Sequence, residues 1–278
     1  PNSPLFLNNI AIVLKDQGRL EDSVDACRRA ISLQPNLAQA YYNLGGALKD
    51  QEKLKEALEA YKKALFLKPD YYAAKHFLSA LSGQTSKSAP RQYVENLFDW
   101  CAKDFEASLV DKLEYKIPEI LTKIILDETN HVPLGSILDL GCGTGLAGAE
   151  LHKYCSNLHG VDLSKSMLEL AKSKDIYDKL THGEIIEFLS QEKLDFDYFL
   201  ATDVFIYLGD LSDVFKLIKD RNSHSGKLIF STEHSDKESF FLEKSGRYSH
   251  PKKYIEHLCE EYSYSVCHFS TTDLRKEK

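Results

Sequence analysis

From Ile137 to Gly148 the chain reads Ile-Leu-Asp-Leu-Gly-Cys-Gly-Thr-Gly-Leu-Ala-Gly, an apolar run broken by one carboxylate and then by Gly141, Gly143 and Gly145. Few folds accept that string. Glycines at every second position weaken both a helix interior and a packed strand. The string fits a buried strand that enters a tight turn and opens a helix, the place where an open α/β sheet receives a cofactor. Later segments keep the same alternation. Leu158–Asp162 reads as a second strand, Ser164 as the cap of the helix after it, Phe196–Asp203 as a fourth strand, and Ser225–Glu233 as a turn and a fifth. Alternating strands and helices predict a doubly wound, mostly parallel sheet.

The first eighty residues obey a different rule. Aligning Pro35 with Pro69 sets a period of 34, in which Leu7 matches Tyr41, Ile10 Leu44, Ala11 Gly45, Leu14 Leu48, Cys27 Tyr61 and Ala30 Ala64. Tyr41-Tyr42-Asn43-Leu44-Gly45 with Ala57, Tyr61, Ala64 and Pro69 resembles the tetratricopeptide repeat, which implies helical hairpins and a surface for a protein or peptide partner. A spacer or dimerisation element is the alternative. The repeats are expected over 1–83 (4–37, 38–71 and a capping helix over 72–83). His76 is expected as an ordinary surface or boundary residue. Two full repeats are fewer than the three usually needed, so more are expected before residue 1, or packing from the other domain. A polar linker over 84–92 follows. Tyr93, Leu97, Phe98, Cys101 and Phe105, then Leu109 to Ile125, recur at helical spacing, with Pro118 suited to a first turn.

Composition narrows the class. The formal charge of −7 is uneven: residues 1–83 carry 11 Lys/Arg against 9 Asp/Glu, and the rest 24 against 33. An acidic second half argues against nucleic acid as a partner. No apolar run approaches the ~20 residues of a membrane span. Six scattered cysteines without C-x-x-C or His/Cys ligand spacing predict free thiols in a reducing cytoplasm and no metal site.

Two readings of the glycine turn compete. Gly143 to Gly148 fits G-x-G-x-x-G, and Asp162 lies about 20 residues further on, as an NAD site requires. Yet Gly141 precedes that pattern, and Asp139 stands where a dinucleotide-binding strand stays apolar. Asp139 with Gly141, Gly143 and Gly145 resembles the D-x-G-x-G-x-G motif of class I S-adenosylmethionine-dependent methyltransferases. Charge supports this reading. A pyrophosphate is served by bare N–H groups, whereas an ammonium and a sulfonium are served by a carboxylate.

The resemblance implies S-adenosylmethionine as cofactor and a domain over 93–278. It implies binding by Asp139, Gly141, Cys142, Gly143 and Gly145 at the turn, and by Asp162 on the ribose hydroxyls with Leu163 beside it. Glu184 is implied near the adenine amine and Asp203 on the substrate side. Met167 is implied against the adenine, though core filling is an equal reading. Tyr93 and Phe98 are candidates for a helix that covers the cofactor. The repeats, Leu97-Phe98-Asp99, Val204–Asp210 and Ser245–His250 together are similar to a group of bacterial methyltransferases with such repeats. That likeness leaves the methyl acceptor open between a small molecule and a protein.

Asp203, Glu233, His234, Arg247, Tyr248 and His250 are acceptor-side candidates, with Asp203, Tyr248 and His250 the catalytic ones. Arg247 with Tyr248 and His250 would suit a carboxylate- or phosphate-bearing substrate; the alternative is a solvated polar loop. The rival class is a scaffold whose domain binds cofactor without turnover. A sixth strand is expected near Tyr264–Phe269, followed by the charged tail Leu274–Lys278. The seventh is missing, which predicts an incomplete sheet or a truncated chain.

Overall fold

A computed structural model describes residues 3–111, 115–129, 133–191 and 193–272, the side chains of 110 and 111 excepted. The chain divides into two compact units, Pro1–Ser86 with Leu242–Gly246, and Lys87–Phe241 with Arg247–Lys278. Among the described residues no helix is long and apolar enough to cross a membrane.

The first unit contains α1 (Pro4–Asp16), α2 (Leu20–Leu33), α3 (Ala38–Asp50), α4 (Leu54–Leu67) and α5 (Tyr72–Leu81). Alanines at the helix contacts, among them Ala11, Ala30, Ala40, Ala57, Ala64 and Ala74, are wholly buried, which lets the backbones approach. Tyr61 fills the space that its small neighbours leave. A Cβ on Gly45 would stand 2.7 Å from its ring. His76 is not a surface residue: it is 2% exposed, and its Nε2 donates to the Gly246 carbonyl at 2.8 Å. Burial lowers its pKa.

The second unit is a five-stranded sheet of β1 (Leu134–Leu140), β2 (Cys155–Asp162), β3 (Lys179–His182), β4 (Tyr198–Ala201) and β5 (Lys227–Phe230). Their order is 3-2-1-4-5 and every pair is parallel. The helices are α6 (Arg91–Cys101), α7 (Ile117–Glu128), α8 (Leu146–Leu151), α9 (Lys165–Ser173), α10 (Ile185–Gln191), α11 (Ser212–Arg221) and α12 (Lys252–Glu261). A small separate sheet pairs β6 (Phe241–Leu242) with β7 (Tyr248–Ser249). Strands covered on both faces must be apolar on both. In β1, Leu138 and Leu140 enter one core cluster with Phe199, Phe205 and Phe215, while Ile137 enters another with Ile125, Leu151 and Leu158.

Two expectations change. Tyr264–Phe269 forms no strand: the Tyr264 hydroxyl donates to the Phe215 carbonyl at 2.9 Å and its ring packs edge-on against Phe215, which ties this segment to α11. The tail Leu274–Lys278 lies outside the described residues. The stretch expected as a linker is partly built in: the Lys87 carbonyl accepts from Gly209 N and Asp210 N, both at 2.8 Å, and α6 begins at Arg91.

Candidate active site

The order 3-2-1-4-5 puts β1 between β2 and β4, so the ends of β1 and β4 flank the switch point where open α/β sheets take ligands. β1 stops at Leu140, and Gly141, Gly143 and Gly145 follow with φ of 68°, 54° and 87°. At Gly141 a Cβ would lie 2.4 Å from Val204 Cγ2, so only glycine fits there. Gly141 N and Cys142 N both donate to the Val161 carbonyl, at 2.8 and 3.0 Å, which pins the turn to β2. Gly143 N instead donates to Asp162 Oδ2 at 2.8 Å, and Ser164 N donates to Oδ1 at 2.8 Å. The carboxylate at the end of β2 is thereby fixed from two sides. Burial raises its pKa against the pull of these N–H groups.

A cavity of about 410 Å³ opens at this point. Of the residues expected to bind cofactor, Gly141, Cys142, Gly143, Asp162, Leu163, Glu184 and Asp203 line it. Phe98 lines it too, edge-on to Tyr207 at 5.3 Å and to Phe105 at 6.0 Å, whereas Tyr93 does not. Asp99, next in sequence, accepts from Ser164 Oγ at 2.5 Å and from Ser166 N at 3.2 Å. Those bonds tie α6 to the start of α9. Burial opposes ionisation of Asp99, but the hydrogen bonds prevail and hold its carboxyl below the ordinary range.

Three expected cofactor residues lie elsewhere. Asp139 is fully buried behind the turn, where it accepts from the Tyr177 hydroxyl at 2.7 Å, and its Oδ1 has no partner. Burial pushes its carboxyl up to about 7, with the Asp162 charge adding to the rise. It braces the turn through Tyr177 and does not line the cavity. Gly145 lies under the same tyrosine ring, 3.0 Å from a notional Cβ. Met167 is wholly buried and does not line the cavity.

On the opposite wall Asp203 follows β4 in a left-handed conformation, φ 52°, which costs a non-glycine residue about 1–2 kcal/mol. Ser231 Oγ accepts from Asp203 N and donates to Asp203 Oδ1, both at 2.9 Å, and Tyr115 also donates to the carboxylate. Burial outweighs these bonds and the nearby Arg247 charge, and raises the Asp203 pKa. Arg247 lines the same cavity, bonds Tyr207, and pairs with Glu233 Oε1 at 3.0 Å.

The remaining candidates do not line this cavity. Glu233 and His234 line a second cavity of about 1190 Å³ along β5, and His234 faces Asp236 at 3.6 Å. Tyr248 is fully buried and fills the space above Gly209, where a Cβ would stand 2.7 Å from its ring. His250 Nε2 donates to the Gly209 carbonyl at 2.9 Å, so Nδ1 must accept from Thr232 Oγ1 at 2.5 Å. With both nitrogens engaged and burial pushing its pKa down to about 4, His250 is a fixed neutral ring. Tyr115, Tyr207 and Ser231 went unanticipated. Nothing in their spacing separates them from ordinary core and loop residues.

A family model described as a methyltransferase domain matches residues 132–277. The chain belongs to the methyltransferase-domain family. A tetratricopeptide repeat model matches residues 4–68. Among curated relatives, the malonyl-[acyl-carrier protein] O-methyltransferase of Bacillus cereus is 30% identical over 123 residues, 43% of this chain and 45% of that protein. The ubiquinone biosynthesis O-methyltransferase of Coxiella burnetii is 30% identical over 99 residues, 34% of this chain and 42% of that one. The chain thus spans less than half the length of these relatives. Among solved structures, magnesium protoporphyrin IX methyltransferase from Synechocystis PCC 6803 with bound SAH has a TM-score of 0.54 at 15% identity, covering 66% of this chain and 94% of that one. The methyltransferase domain shares that fold. Its cavity, within the ~300–1,000 Å³ usual for ligand sites and bounded by a fixed carboxylate and a bare glycine turn, fits a nucleoside-type cofactor. The expected cofactor, S-adenosylmethionine, agrees with these findings.

Proposed function

We propose that the protein transfers the methyl group of S-adenosylmethionine to a hydroxyl of a small, largely apolar acceptor, with Asp203 receiving the hydroxyl proton. Gly141, Gly143, Asp162, Leu163 and Glu184 would hold the cofactor, Asp162 through the ribose hydroxyls. When bound, that cofactor supplies an electrophilic methyl group on a positively charged sulfur. Asp203 carries the reading. It is a left-handed, half-buried carboxylate whose pKa is raised, held in place by Ser231 and Tyr115 at the cavity wall. A raised pKa makes a carboxylate a stronger base for an acceptor oxygen. Arg247, bonded to Tyr207 and Glu233, favours the ionised form of Asp203 and can orient a polar group on the acceptor. Phe98, Phe105 and Leu109 would exclude water and contact the apolar body. Both curated relatives above are O-methyltransferases by name, which supports oxygen as the acceptor atom. A scaffold that only bound cofactor would have no use for the conformational cost at Asp203. The repeats are proposed to bind a protein or peptide partner.

The test is transfer of labelled methyl from S-adenosylmethionine into a cell extract, separated into small-molecule and protein fractions, with wild-type and Asp162→Ala protein. Label in an organic-soluble product, lost in the variant, supports the reading. Label confined to a protein band, or none above the variant, sinks the small-molecule acceptor.

A further inference from the structure

Phe98, Phe105 and Tyr207 line the cavity that Asp203 also lines, and all of them are only half-buried. Phe98 stands edge-on to the other two, 6.0 Å from Phe105 and 5.3 Å from Tyr207 between ring centres. Leu109, Pro118 and Ile206 continue the apolar surface. Half-buried rings keep uncovered faces and edges, and a further ring packed among them gains more than its buried area alone supplies.

The cations at this cavity are already committed. Arg247 Nη1 pairs with Glu233 Oε1 at 3.0 Å, and the guanidinium also bonds Tyr207. Arg91 Nη1 pairs with Glu187 Oε2 at 3.2 Å. Asp162, Glu184 and Asp203 add their own carboxyl groups to the lining. The anion that Arg247 suits is thus supplied from within the fold, by Glu233. An anionic acceptor would leave water to stand beside these carboxyl groups and would compete with Glu233 for Arg247, and burying a charge without a partner of its own is unfavourable. An uncharged acceptor meets neither cost.

The acidity of the acceptor hydroxyl is bounded as well. A carboxylate is a base of modest strength, even one raised by burial as Asp203 is. A phenolic hydroxyl titrates near about 10, whereas water, which alkyl hydroxyls resemble, titrates near about 15.7. Passing the proton to Asp203 during attack is therefore far less uphill from a phenol.

We propose that the acceptor is an uncharged phenol whose ring sits among Phe98, Phe105 and Tyr207, and that Glu233 excludes carboxylate-bearing phenols by holding Arg247. This deepens the proposed transfer to oxygen and rests on it. In the reaction the phenolic proton passes to the Asp203 carboxylate, the oxygen–methyl bond forms, and the sulfur–methyl bond breaks with its electron pair left on sulfur. An aryl methyl ether leaves, and Asp203 returns the proton to water. Glu233 acts here through Arg247, as a specificity residue that does not itself touch the acceptor.

Calorimetry on the full chain, with S-adenosylhomocysteine present, compares three probes of one skeleton. They are para-hydroxyphenylpropionamide, the para-hydroxyphenylpropionate that adds a charge, and the para-hydroxycyclohexylpropionamide that removes the aromatic ring. The first is expected to bind at least about tenfold more tightly than either of the others. Glu233→Gln should narrow the gap between amide and carboxylate at least about fivefold and leave the gap between phenol and cyclohexanol unchanged. The wild-type comparison stands without the variant and decides the matter if Glu233→Gln does not fold. Carboxylate bound as tightly as amide, cyclohexanol bound as tightly as phenol, or no binding of the three at millimolar concentration would overturn the proposal. An unchanged gap in a folded Glu233→Gln protein would remove Glu233 from it. Selective binding of the phenol without transfer of labelled methyl to it would overturn the methyl-transfer reading instead, and leave the selectivity of the cavity standing.

Discussion

Replacing Asp162 by Ala perturbs two things at once, and the structure says how to separate them. The carboxylate accepts from Gly143 N and Ser164 N, both at 2.8 Å. Hydrogen bonds to a charged group are each worth about 1.5–3 kcal/mol, and a buried N–H left without a partner costs about 1–3 kcal/mol. Losing both bonds should lower the unfolding free energy by a few kcal/mol, read as a lower urea midpoint. The same carboxylate is the proposed acceptor for ribose hydroxyls. Losing that charged interaction should weaken S-adenosylhomocysteine by about 10- to 100-fold in titration calorimetry. Asp162→Asn, which keeps one acceptor oxygen, should fall between. Because burial raises the Asp162 pKa, wild-type affinity should decline on acidification from above the ordinary Asp range, and the Asn variant should lose that limb. A variant with a lowered urea midpoint and unchanged affinity would refute the argument: Asp162 would then brace the turn and do nothing else.

Asp203→Asn should reduce kcat about 10²- to 10⁴-fold with S-adenosylhomocysteine affinity nearly unchanged, measured on the labelled product. The wild-type acid limb should lie above the ordinary Asp pKa, since burial raises this carboxyl. Asp139→Asn should gain on the wild type as pH rises. With a folded pKa of about 7 against an ordinary 3.8, the wild type keeps the Asp139 proton when folded and loses it when unfolded. Its stability therefore falls between about pH 4 and 7, by up to about 1.4 kcal/mol per unit, with no further slope above. His250, pushed down to about 4, contributes the opposite slope across part of that window, so the wild-type minus variant difference is the quantity to follow in urea titrations at pH 5 and 8. Gly45→Ala should destabilise the repeats by about 1–3 kcal/mol, because its methyl meets the buried Tyr61 ring; a rise in Tm would contradict the packing described.

The legible parts of the sequence are those in which local chemistry dictates geometry. A period of 34 fixes helix hairpins, and alternate glycines fix a strand-turn-helix, because each pattern has one low-energy solution. Asp162 was legible for the same reason: it ends a strand beside that turn. A carboxylate in an apolar run looks available, and only the fold shows Tyr177, 38 residues away, bonded to Asp139. Tyr248 and His250 misled similarly. Polar tips beside an arginine suggest a site, but here Gly209, 41 residues before His250, takes the imidazole hydrogen. Tyr264–Phe269 alternates like a strand, yet Tyr264 is drawn to α11 by a bond that no periodicity encodes. Long-range partners of this kind were the illegible part.

The Gly246 carbonyl that His76 requires lies 170 residues downstream. Helical hairpins form from local contacts in microseconds to milliseconds, far faster than a ribosome adds residues at ~5–20 per second. During synthesis the repeats are therefore formed while His76 and Phe77 still lack their last neighbour, for about 10–30 s at those rates. A newly made chain carries an α5 surface that the finished protein does not, and a chaperone or nascent partner that reads this surface has a defined interval in which to act.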